Sequence, residues 1–370
     1  MSVDNGAKNG KISRRLSSCV SAGGVLIGGG NRITVQSMTN TPTEDFDKTF
    51  AQITALADSG CDIVRVSVYN KECIPSVKRL VESCKVPLVA DIHFDHTLAL
   101  ASAEAGIQKL RINPGNIGGE KNVKLLADCA RAHKIPIRIG VNSGSVEKAL
   151  VKEYGVTPFS MVKSALEHVR LLEQQGFYDI VISVKGSSVA STVEANRLLA
   201  KDCGYPLHLG VTEAGTYDDS IVKSSVGIGA LLMEGIGDTI RVSISGSPLP
   251  EGPAGVAILK AVGAREHGVE VVACPTCGRT CIDIEGIANA VKRRTGHIEA
   301  PVTVAVMGCV VNGPGEARQA DIGVAGVPGG GCAIFMGDEV IKMSNSGSEP
   351  VIAELVRRIE IIAGQCRHKT

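Results

Sequence analysis

The sequence predicts an α/β protein, a (β/α)₈ TIM barrel followed by a small α+β domain. The first observation is a rhythm that begins near residue 33, in which short β-branched runs alternate with helix-length amphipathic segments. The second is its extent, because eight strand–helix units over roughly 230 residues is the usual size of such a barrel. The third is that the rhythm ends near residue 268. We therefore predict a barrel domain over residues 1–268 and a second domain over residues 269–370.

The predicted barrel strands are short and apolar, as parallel strands that are buried on both faces must be. In chain order they are Ile33–Met38, Ile63–Val68, Leu88–His93, Lys109–Asn113, Ile135–Val141, Ile180–Lys185, Leu207–Thr212 and Thr239–Ser245. The clearest helices between them are Phe46–Ser59, Asn122–His133, Pro158–Gln175 and Thr192–Asp202. Gly60, Gly176 and Gly204 follow three of these helices, where a left-handed residue commonly ends a helix. One more helix, Ala254–Glu266, is expected to close the barrel.

A doubly wound parallel sheet would show the same alternation of strands and helices. Sheets of that kind that bind dinucleotides carry G-x-G-x-x-G directly after the first strand, and this chain has no such motif there. Gly28, Gly29 and Gly30 precede the first predicted strand instead, so they indicate a hairpin or turn.

The second domain is predicted from a new pattern over about 100 residues, enough for an independent small domain. Its strands are Glu270–Ala273, Val302–Met307, Ile322–Ala325 and Cys332–Met336, and its helices are Ile284–Thr295 and Pro350–Ala363. The run N-G-P-G at residues 312–315 must be a loop, in which glycine lets the backbone approach a bulky ligand closely.

Composition excludes several classes of function. The chain has 370 residues, of which 44% are hydrophobic and 21% charged, so it is globular. A net charge of +1 gives no general electrostatic hold on nucleic acid or membrane, and 3% aromatic residues without Trp argue against a platform for stacked bases. No apolar run approaches the ~20 residues that span a bilayer. We read no secretory signal and expect a cytoplasmic protein, in which most cysteines are small buried hydrophobes.

Charged side chains occupy the second half or the end of every predicted barrel strand except the first. Charge in a buried strand is costly unless something binds it, and function in such a barrel lies at the carboxyl ends of the strands. Four cations come from separate strands: Arg65, Arg111, Arg138 and Lys185. Converging cations suit a small polyanion, because arginine forks match phosphate oxygens. The alternative is that each arginine pairs with a carboxylate of the barrel, such as Asp62, Asp91 or Glu213.

Three other strand-end residues are candidates for chemistry. Glu213 ends a strand in G-V-T-E-A-G, where a general-acid or electrostatic role competes with a salt bridge. Asp91 and His93, in A-D-I-H-F-D, could bind metal or relay protons, or form a hydrogen-bonded structural pair. His168 lies on a predicted helix face, and we expect it at the surface.

A cysteine cluster marks the second domain. Cys274 and Cys277 form C-P-T-C, whose spacing lets a tight turn point both sulfurs at one metal centre. Cys309 follows a strand and can hold a third thiolate rigidly. Three thiolates on one small module suit zinc or an iron–sulfur cluster. A zinc ribbon usually has a second C-x-x-C, and here the second half is a lone cysteine.

Two residues compete to be the fourth ligand. Cys281 would complete a set of four thiolates, as in a structural or electron-carrying site. Glu316 lies beyond the glycine loop, and a more labile carboxylate there would leave one metal ion open to substrate. Cys332 follows three glycines, and nothing in the sequence places it at the site.

Six motifs together resemble one family, the bacterial hydroxymethylbutenyl diphosphate synthases. They are V-Q-S-M-T-N-T at 35–41, L-R-I-N-P-G-N-I-G at 110–118, G-V-N-S-G-S at 140–145, H-L-G-V-T-E-A-G at 208–215, C-P-T-C-G-R-T at 274–280 and G-C-V-V-N-G-P-G-E-A at 308–317. These enzymes are flavodoxin- or ferredoxin-dependent reductases late in the non-mevalonate isoprenoid route. The resemblance covers most of the chain from about residue 12, and its last motif is highly specific.

The resemblance implies a [4Fe-4S] cluster held by Cys274, Cys277, Cys309 and Glu316. It implies a substrate, 2-C-methyl-D-erythritol 2,4-cyclodiphosphate, that is bound by Arg65, Arg111, Arg138, Asn142, Lys185 and Ser243, and it matches Glu213 to the carboxylate near the reacting carbons. The expected reaction is a two-electron reductive ring opening and dehydration to 4-hydroxy-3-methylbut-2-enyl diphosphate. The expected assembly is a homodimer in which the cluster domain of one subunit caps the barrel of its partner.

Two other functions stay open at this point. A pterin- or corrinoid-linked barrel would use phosphate-like anchors, but it would not require the appended cysteine domain. An iron–sulfur carrier with an inert barrel would use four thiolate ligands, including Cys281, and would have no use for the strand-end arginines.

Overall fold

Residues 12–113, 116, 118–265, 268–309, 311, 320–343 and 347–367 are described by the computed structural model of the chain. The chain divides into two compact units after Arg265. Each unit buries its own hydrophobic core, built mainly from Val, Ile, Leu and Ala. The two are described in turn.

Eight parallel strands form the barrel of the first unit. They are β3 (Thr34–Met38), β4 (Ile63–Ser67), β5 (Leu88–Asp91), β6 (Lys109–Ile112), β7 (Ile137–Asn142), β8 (Ile180–Lys185), β9 (His208–Leu209) and β10 (Thr239–Ile240). Each pairs with the next in the order β8-β7-β6-β5-β4-β3-β10-β9. The ring closes where Ile182 of β8 bridges Leu207 in parallel and its N–H donates to Pro206 at 2.9 Å. The predicted (β/α)₈ barrel is therefore confirmed.

Helices that follow the strands cover the outside of the barrel. They are α1 (Phe46–Asp58), α2 (Cys73–Ser83), α3 (His96–Glu104), α4 (Glu120–His133), α5 (Lys148–Tyr154), α6 (Pro158–Glu173), α7 (Val189–Asp202), α8 (Tyr217–Met233) and α9 (Glu251–Ala261). Local signals set their ends. Thr157 and Ser160 form a capping box at the start of α6. Gly60 and Gly176 are left-handed, with φ of 102° and 67°, as predicted. The same expectation for Gly204 is wrong, because α7 ends in the extended residue Cys203.

A short hairpin closes the amino-terminal end of the barrel. Strands β1 (Cys19–Ala22) and β2 (Val25–Gly28) pair in antiparallel fashion before β3 begins. Their inner side chains, Val20, Ala22 and Ile27, pack against apolar residues near the starts of β4, β5 and β8. The hairpin thus covers the amino-terminal end of the barrel interior, and ligands can reach the interior from the carboxyl ends of the strands.

In its described residues, the second unit is a five-stranded mixed sheet with two helices. Its strands are β11 (Val269–Ala273), β12 (Val302–Met307), β13 (Ile322–Gly326), β14 (Cys332–Met336) and β15 (Glu339–Met343), and its helices are α10 (Ile284–Arg294) and α11 (Ser348–Arg367). The strands lie side by side in chain order. β11, β12 and β13 pair in parallel, whereas β13 with β14 and β14 with β15 pair in antiparallel fashion. The α+β architecture agrees with the sequence prediction, which had not included β15.

His168 of α6 is buried, so the prediction that it lies at the surface is wrong. It is 3% exposed, and its Nε2 lies 2.7 Å from Oε1 of Glu147. Burial of the ring lowers the pKa of His168 despite that carboxylate.

Among the described helices, none has the length and apolar character needed to cross a membrane.

Candidate active site

A cavity of about 150 Å³ opens among the carboxyl ends of the barrel strands. Side chains along a strand point alternately into and out of the barrel. Residues two apart on one strand therefore both face inward, where they meet the inward-facing side chains of the neighbouring strands. All six residues for which the resemblance implies substrate binding line this cavity: Arg65, Arg111, Arg138, Asn142, Lys185 and Ser243. Six further residues complete its wall: Asp91, His93, Gly140, Ser183, Thr212 and Arg241.

The cationic side chains of the cavity are deeply buried. Arg138 is 1% exposed and Lys185 is 7% exposed. Burial, followed by repulsion from Arg138 and Arg241, holds the pKa of Lys185 well below its usual range. Burial also lowers the pKa of Arg65 to about 10, which leaves that guanidinium charged at neutral pH. Several cationic side chains thus lie close together in a region that water screens poorly.

Asp91 pairs with two of these arginines and fixes their positions. Nη1 of Arg111 donates to Oδ1 of Asp91 at 2.9 Å, and Nε of Arg65 lies 3.7 Å from Oδ2. His93 reaches the same carboxylate, with Nε2 at 3.5 Å. Burial alone would raise the pKa of Asp91, but Arg65, His93 and Arg111 together hold it well below its usual value. Asp91 thus stays ionised and orients the wall of the cavity.

Arg138 and Lys185 differ from the other cations. Within the described ranges, no carboxylate lies within 4 Å of either side chain. Of the four cations singled out in the sequence, Arg65 and Arg111 therefore pair with a barrel carboxylate, as the alternative predicted, whereas Arg138 and Lys185 have none in the described ranges. A buried cation without a counter-charge is costly, unless an anionic ligand supplies that charge.

Glu213 lies at the rim, directly after Thr212, which lines the cavity. Its side chain is exposed, and its backbone is left-handed, with φ of 53°. A non-glycine residue in that conformation is strained, and such strain is often found at functional sites. The conformation turns the chain outward after β9.

In the second unit, two of the predicted cluster ligands follow neighbouring parallel strands. Cys274 comes directly after β11, and Cys309 follows β12 by two residues; these strands pair in register through Ala273 and Val306. The N–H of Gly308 donates to Sγ of Cys274 at 3.1 Å. The backbone N–H of Arg279 lowers the pKa of Cys277, so this exposed thiol ionises easily.

The remaining residues of the cysteine cluster are placed less completely. Glu316 lies outside the described residues, as does the glycine loop at 312–315. The N–H of Cys281 donates to the carbonyl of Gly308 at 2.8 Å, so this thiol shares the neighbourhood of Cys309. Cys332 is buried at the start of β14. In the described part of the chain, no three His, Cys, Asp or Glu side chains are gathered closely enough to hold a metal ion.

Comparison with known families covers both units. Residues 17–256 match the GcpE TIM-barrel domain, and residues 270–361 match the GcpE protein C-terminal domain. The chain belongs to the GcpE family. The family resemblance predicted from the motifs is therefore confirmed.

Curated relatives of this GcpE chain carry one name, 4-hydroxy-3-methylbut-2-en-1-yl diphosphate synthase (flavodoxin). The protein from Caldanaerobacter subterraneus is 53% identical over 94% of this chain and 97% of its own length. That from Clostridium acetobutylicum is 52% identical over 92% and 97%. Among solved structures, the chain is similar to dihydropteroate synthase from Yersinia pestis, at 14% identity and a TM-score of 0.49, over 66% of this chain and 97% of that one.

Arg241 lines the GcpE cavity but was not in the predicted binding set, and Met38 contacts the cavity residue Arg65. Arg241 pairs with the buried carboxylate of Glu251, from Nε to Oε2 at 3.1 Å. The sulfur of Met38 accepts from Nη2 of Arg65 at 2.8 Å. The signal for Arg241 was present, because it lies two residues before Ser243 on the same face of the chain. Met38 carries no charge, so only the fold could show its contact with Arg65.

Proposed function

We propose that this chain catalyses the two-electron reductive ring opening and dehydration of 2-C-methyl-D-erythritol 2,4-cyclodiphosphate to 4-hydroxy-3-methylbut-2-enyl diphosphate, in isoprenoid biosynthesis. The observation that carries the proposal is the pair of buried cations, Arg138 and Lys185, that face the cavity with no carboxylate partner among the described residues. The printed name of the relatives points to the same diphosphate product. Counted with substrate and product in their fully protonated forms, two electrons and two protons convert the cyclic diphosphate to this product and one water.

In this proposal the barrel residues bind the diphosphate. Arg138 and Lys185 supply charge that no carboxylate of the described residues neutralises within 4 Å, while Asp91 holds Arg65 and Arg111 in fixed orientations. Asn142 and Ser243 add uncharged hydrogen-bonding groups at the same rim. Fixed donors of this kind need no reorganisation when negative charge arrives, which favours binding and orientation of the ring.

A [4Fe-4S] cluster is the cofactor that fits the second unit, with Cys274, Cys277, Cys309 and Glu316 as its ligands. The donor set supports this fit: two thiols at the ends of paired parallel strands, a backbone N–H on one sulfur, and a third thiol with a lowered pKa. When bound, the cluster would supply the two electrons one at a time. Glu213 would donate a proton to the substrate or shield developing charge, from its position at the rim.

The partners follow from the same proposal. Flavodoxin or ferredoxin would deliver the electrons, and flavodoxin appears in the name of the relatives. We propose a cytoplasmic homodimer, in which the cluster domain of one subunit caps the barrel of the other. Residues 1–268 would then bind the substrate, and residues 269–370 would hold the cluster.

The test is anaerobic. Chemically reduced protein should be oxidised when the cyclodiphosphate is added, with formation of the open-chain diphosphate, and EPR should report the cluster. Glu316→Ala should abolish turnover, whereas the matched variant Cys281→Ser should keep the full cluster spectrum. Turnover at the wild-type level in Glu316→Ala would show the ligand assignment to be wrong. Active, colourless, iron-free protein would refute the function.

A further inference from the structure

Gly140 is the one residue on the inner face of β7 that has no side chain. Arg138, Gly140 and Asn142 alternate along this strand and all line the cavity. On the neighbouring strand β6, Arg111 pairs in register with Arg138. The side chain of Arg111 therefore starts beside Arg138 and extends over the gap at Gly140.

The gap is occupied by the guanidinium of Arg111. A methyl group built on Gly140 would lie 2.7 Å from Nε of Arg111, 3.1 Å from Nη2 and 3.3 Å from Cζ. The carbonyl of Gly140 also accepts from Nη2 at 3.3 Å. Gly140 is not left-handed, so its backbone does not require glycine. Because residue 140 has no side chain, it leaves the space that this guanidinium occupies.

A second glycine has the same relation to a second cation. A methyl group on Gly210, which follows β9, would lie 2.5 Å from Nζ and 3.0 Å from Cε of Lys185 on the neighbouring strand β8. It would also meet the backbone carbonyl of Arg241 at 2.6 Å, so this glycine has a structural role as well. The repetition on two strands indicates a feature of the site rather than an accident of packing.

We infer that Gly140 is a positioning residue for the diphosphate, acting through Arg111. The inference rests on the proposed function. Asp91 holds one edge of the guanidinium at 2.9 Å, and the gap at Gly140 receives its other side. A methyl group there would move Nε and Nη2 away from β7, which would disturb the pair with Asp91 or narrow the cavity. Displacement of a binding group by about 1 Å can cost on the order of a hundredfold in rate.

The experiment measures binding to the anaerobic holoenzyme by titration calorimetry, with the cyclodiphosphate and with inorganic pyrophosphate as probes. Gly140→Ala should raise the dissociation constant about ten- to a hundredfold, the loss expected from one misplaced hydrogen bond to a charged group. Its KM should rise more than its kcat falls. The control is Gly144→Ala, four residues further on, where an added methyl meets no atom within 4 Å and φ is not left-handed; it should bind like wild type.

A double-mutant cycle tests whether Gly140 acts through Arg111. The variant carrying both Gly140→Ala and Arg111→Ala should bind no more weakly than Arg111→Ala alone. Multiplying effects, or wild-type affinity in Gly140→Ala, would overturn the inference. If Gly140→Ala fails to fold, recovery of folding in the double variant would still identify Arg111 as the group that the methyl meets. If only Arg111→Ala folds, the methyl meets something else. A wild-type enzyme that binds neither probe would refute the proposed function first, and the inference with it.

Discussion

Lys109 is a buried amine on the inner face of the barrel, two residues before Arg111. It is fully buried, and its Nζ has no hydrogen-bond partner among the residues that the structure describes. Burial, followed by repulsion from Arg138 and Arg65, holds the pKa of Lys109 well below its usual range. His208 has the same character, with both ring nitrogens unpartnered in the described structure and a lowered pKa, again mainly through burial. These groups form a polar layer that the proposed reaction does not use.

Lys109→Met should therefore raise the free energy of unfolding by about 1–3 kcal/mol at neutral pH, because it removes a buried donor that has no partner in the described structure. The gain should appear as a higher melting temperature. The sign of the pH dependence is fixed. In the unfolded chain Lys109 keeps its proton up to about pH 10.4, so the unfolded state binds more protons and the wild type gains stability as pH rises. The advantage of the variant should shrink between about pH 7 and 9.5. Thermal unfolding at both values checks this, and an advantage independent of pH would contradict it.

At the same scale, the site was predictable where charge breaks an apolar pattern. Arg65, Arg111, Arg138 and Lys185 stand out within β-branched strands, and the structure brings them to one cavity. What the sequence could not provide is which charged side chains pair with one another. Asp91 lies near Arg111 through the register of β5 with β6, which the pattern of single strands does not contain.

At the scale of elements, positions were predicted well and lengths less well. The predicted strand at 180–185 and the strands at 302–307 and 332–336 agree residue for residue with β8, β12 and β14. The predicted strands at 207–212 and 239–245 shorten to two residues each, His208–Leu209 and Thr239–Ile240. β15 was missed although Gly337 and Asp338 form a two-residue hairpin signal, since its exposed, charged residues hide the strand pattern.

The segment before β1, residues 12–18, is the N-terminal arm, and one of its anchors is the carboxylate of Asp238. Asp238, directly before β10, accepts from Nη2 of Arg14 at 3.0 Å, from Oγ of Ser17 at 3.0 Å and from the N–H of Leu207 at 2.9 Å. It is 3% exposed. The arm thereby continues into the hairpin that closes the barrel.

Asp238→Ala should destabilise the protein by about 3 kcal/mol, because it leaves buried donors without their partner. Chemical denaturation of the barrel measures this loss. The control is Asp128→Ala, since Asp128 also pairs with two basic residues, Lys124 and Arg131, but on an exposed helix face. Exposed pairs contribute little, so that variant should unfold like the wild type. Equal losses in the two variants would show that the arm is not held by Asp238.

At the scale of the whole molecule, the groups of the proposed reaction are divided between the two units. The cations lie in the first unit and the thiols in the second, and each unit has a separate core. The sequence predicted this division because thiolate spacing and strand-end charge are local signals. It could not derive whether the thiols that would serve a cavity come from the same chain or from a second copy, since that depends on assembly; only the family resemblance supplied an arrangement.

A heterodimer distinguishes the two arrangements. One subunit carries Arg138→Ala, which removes a cavity cation that has no carboxylate partner among the described residues, and its partner carries Cys309→Ser, which removes a proposed cluster ligand. If each barrel uses the cluster of the other subunit, one of two sites is intact, and the doubly tagged heterodimer should retain about half of the wild-type turnover, as two-fold symmetry requires. If each barrel uses its own cluster, both sites lack one part and turnover should vanish. The two homodimeric variants should both be inactive, which sets the baseline. Equal inactivity of the heterodimer would refute assembly across subunits and leave the reaction itself to be tested in the single chain.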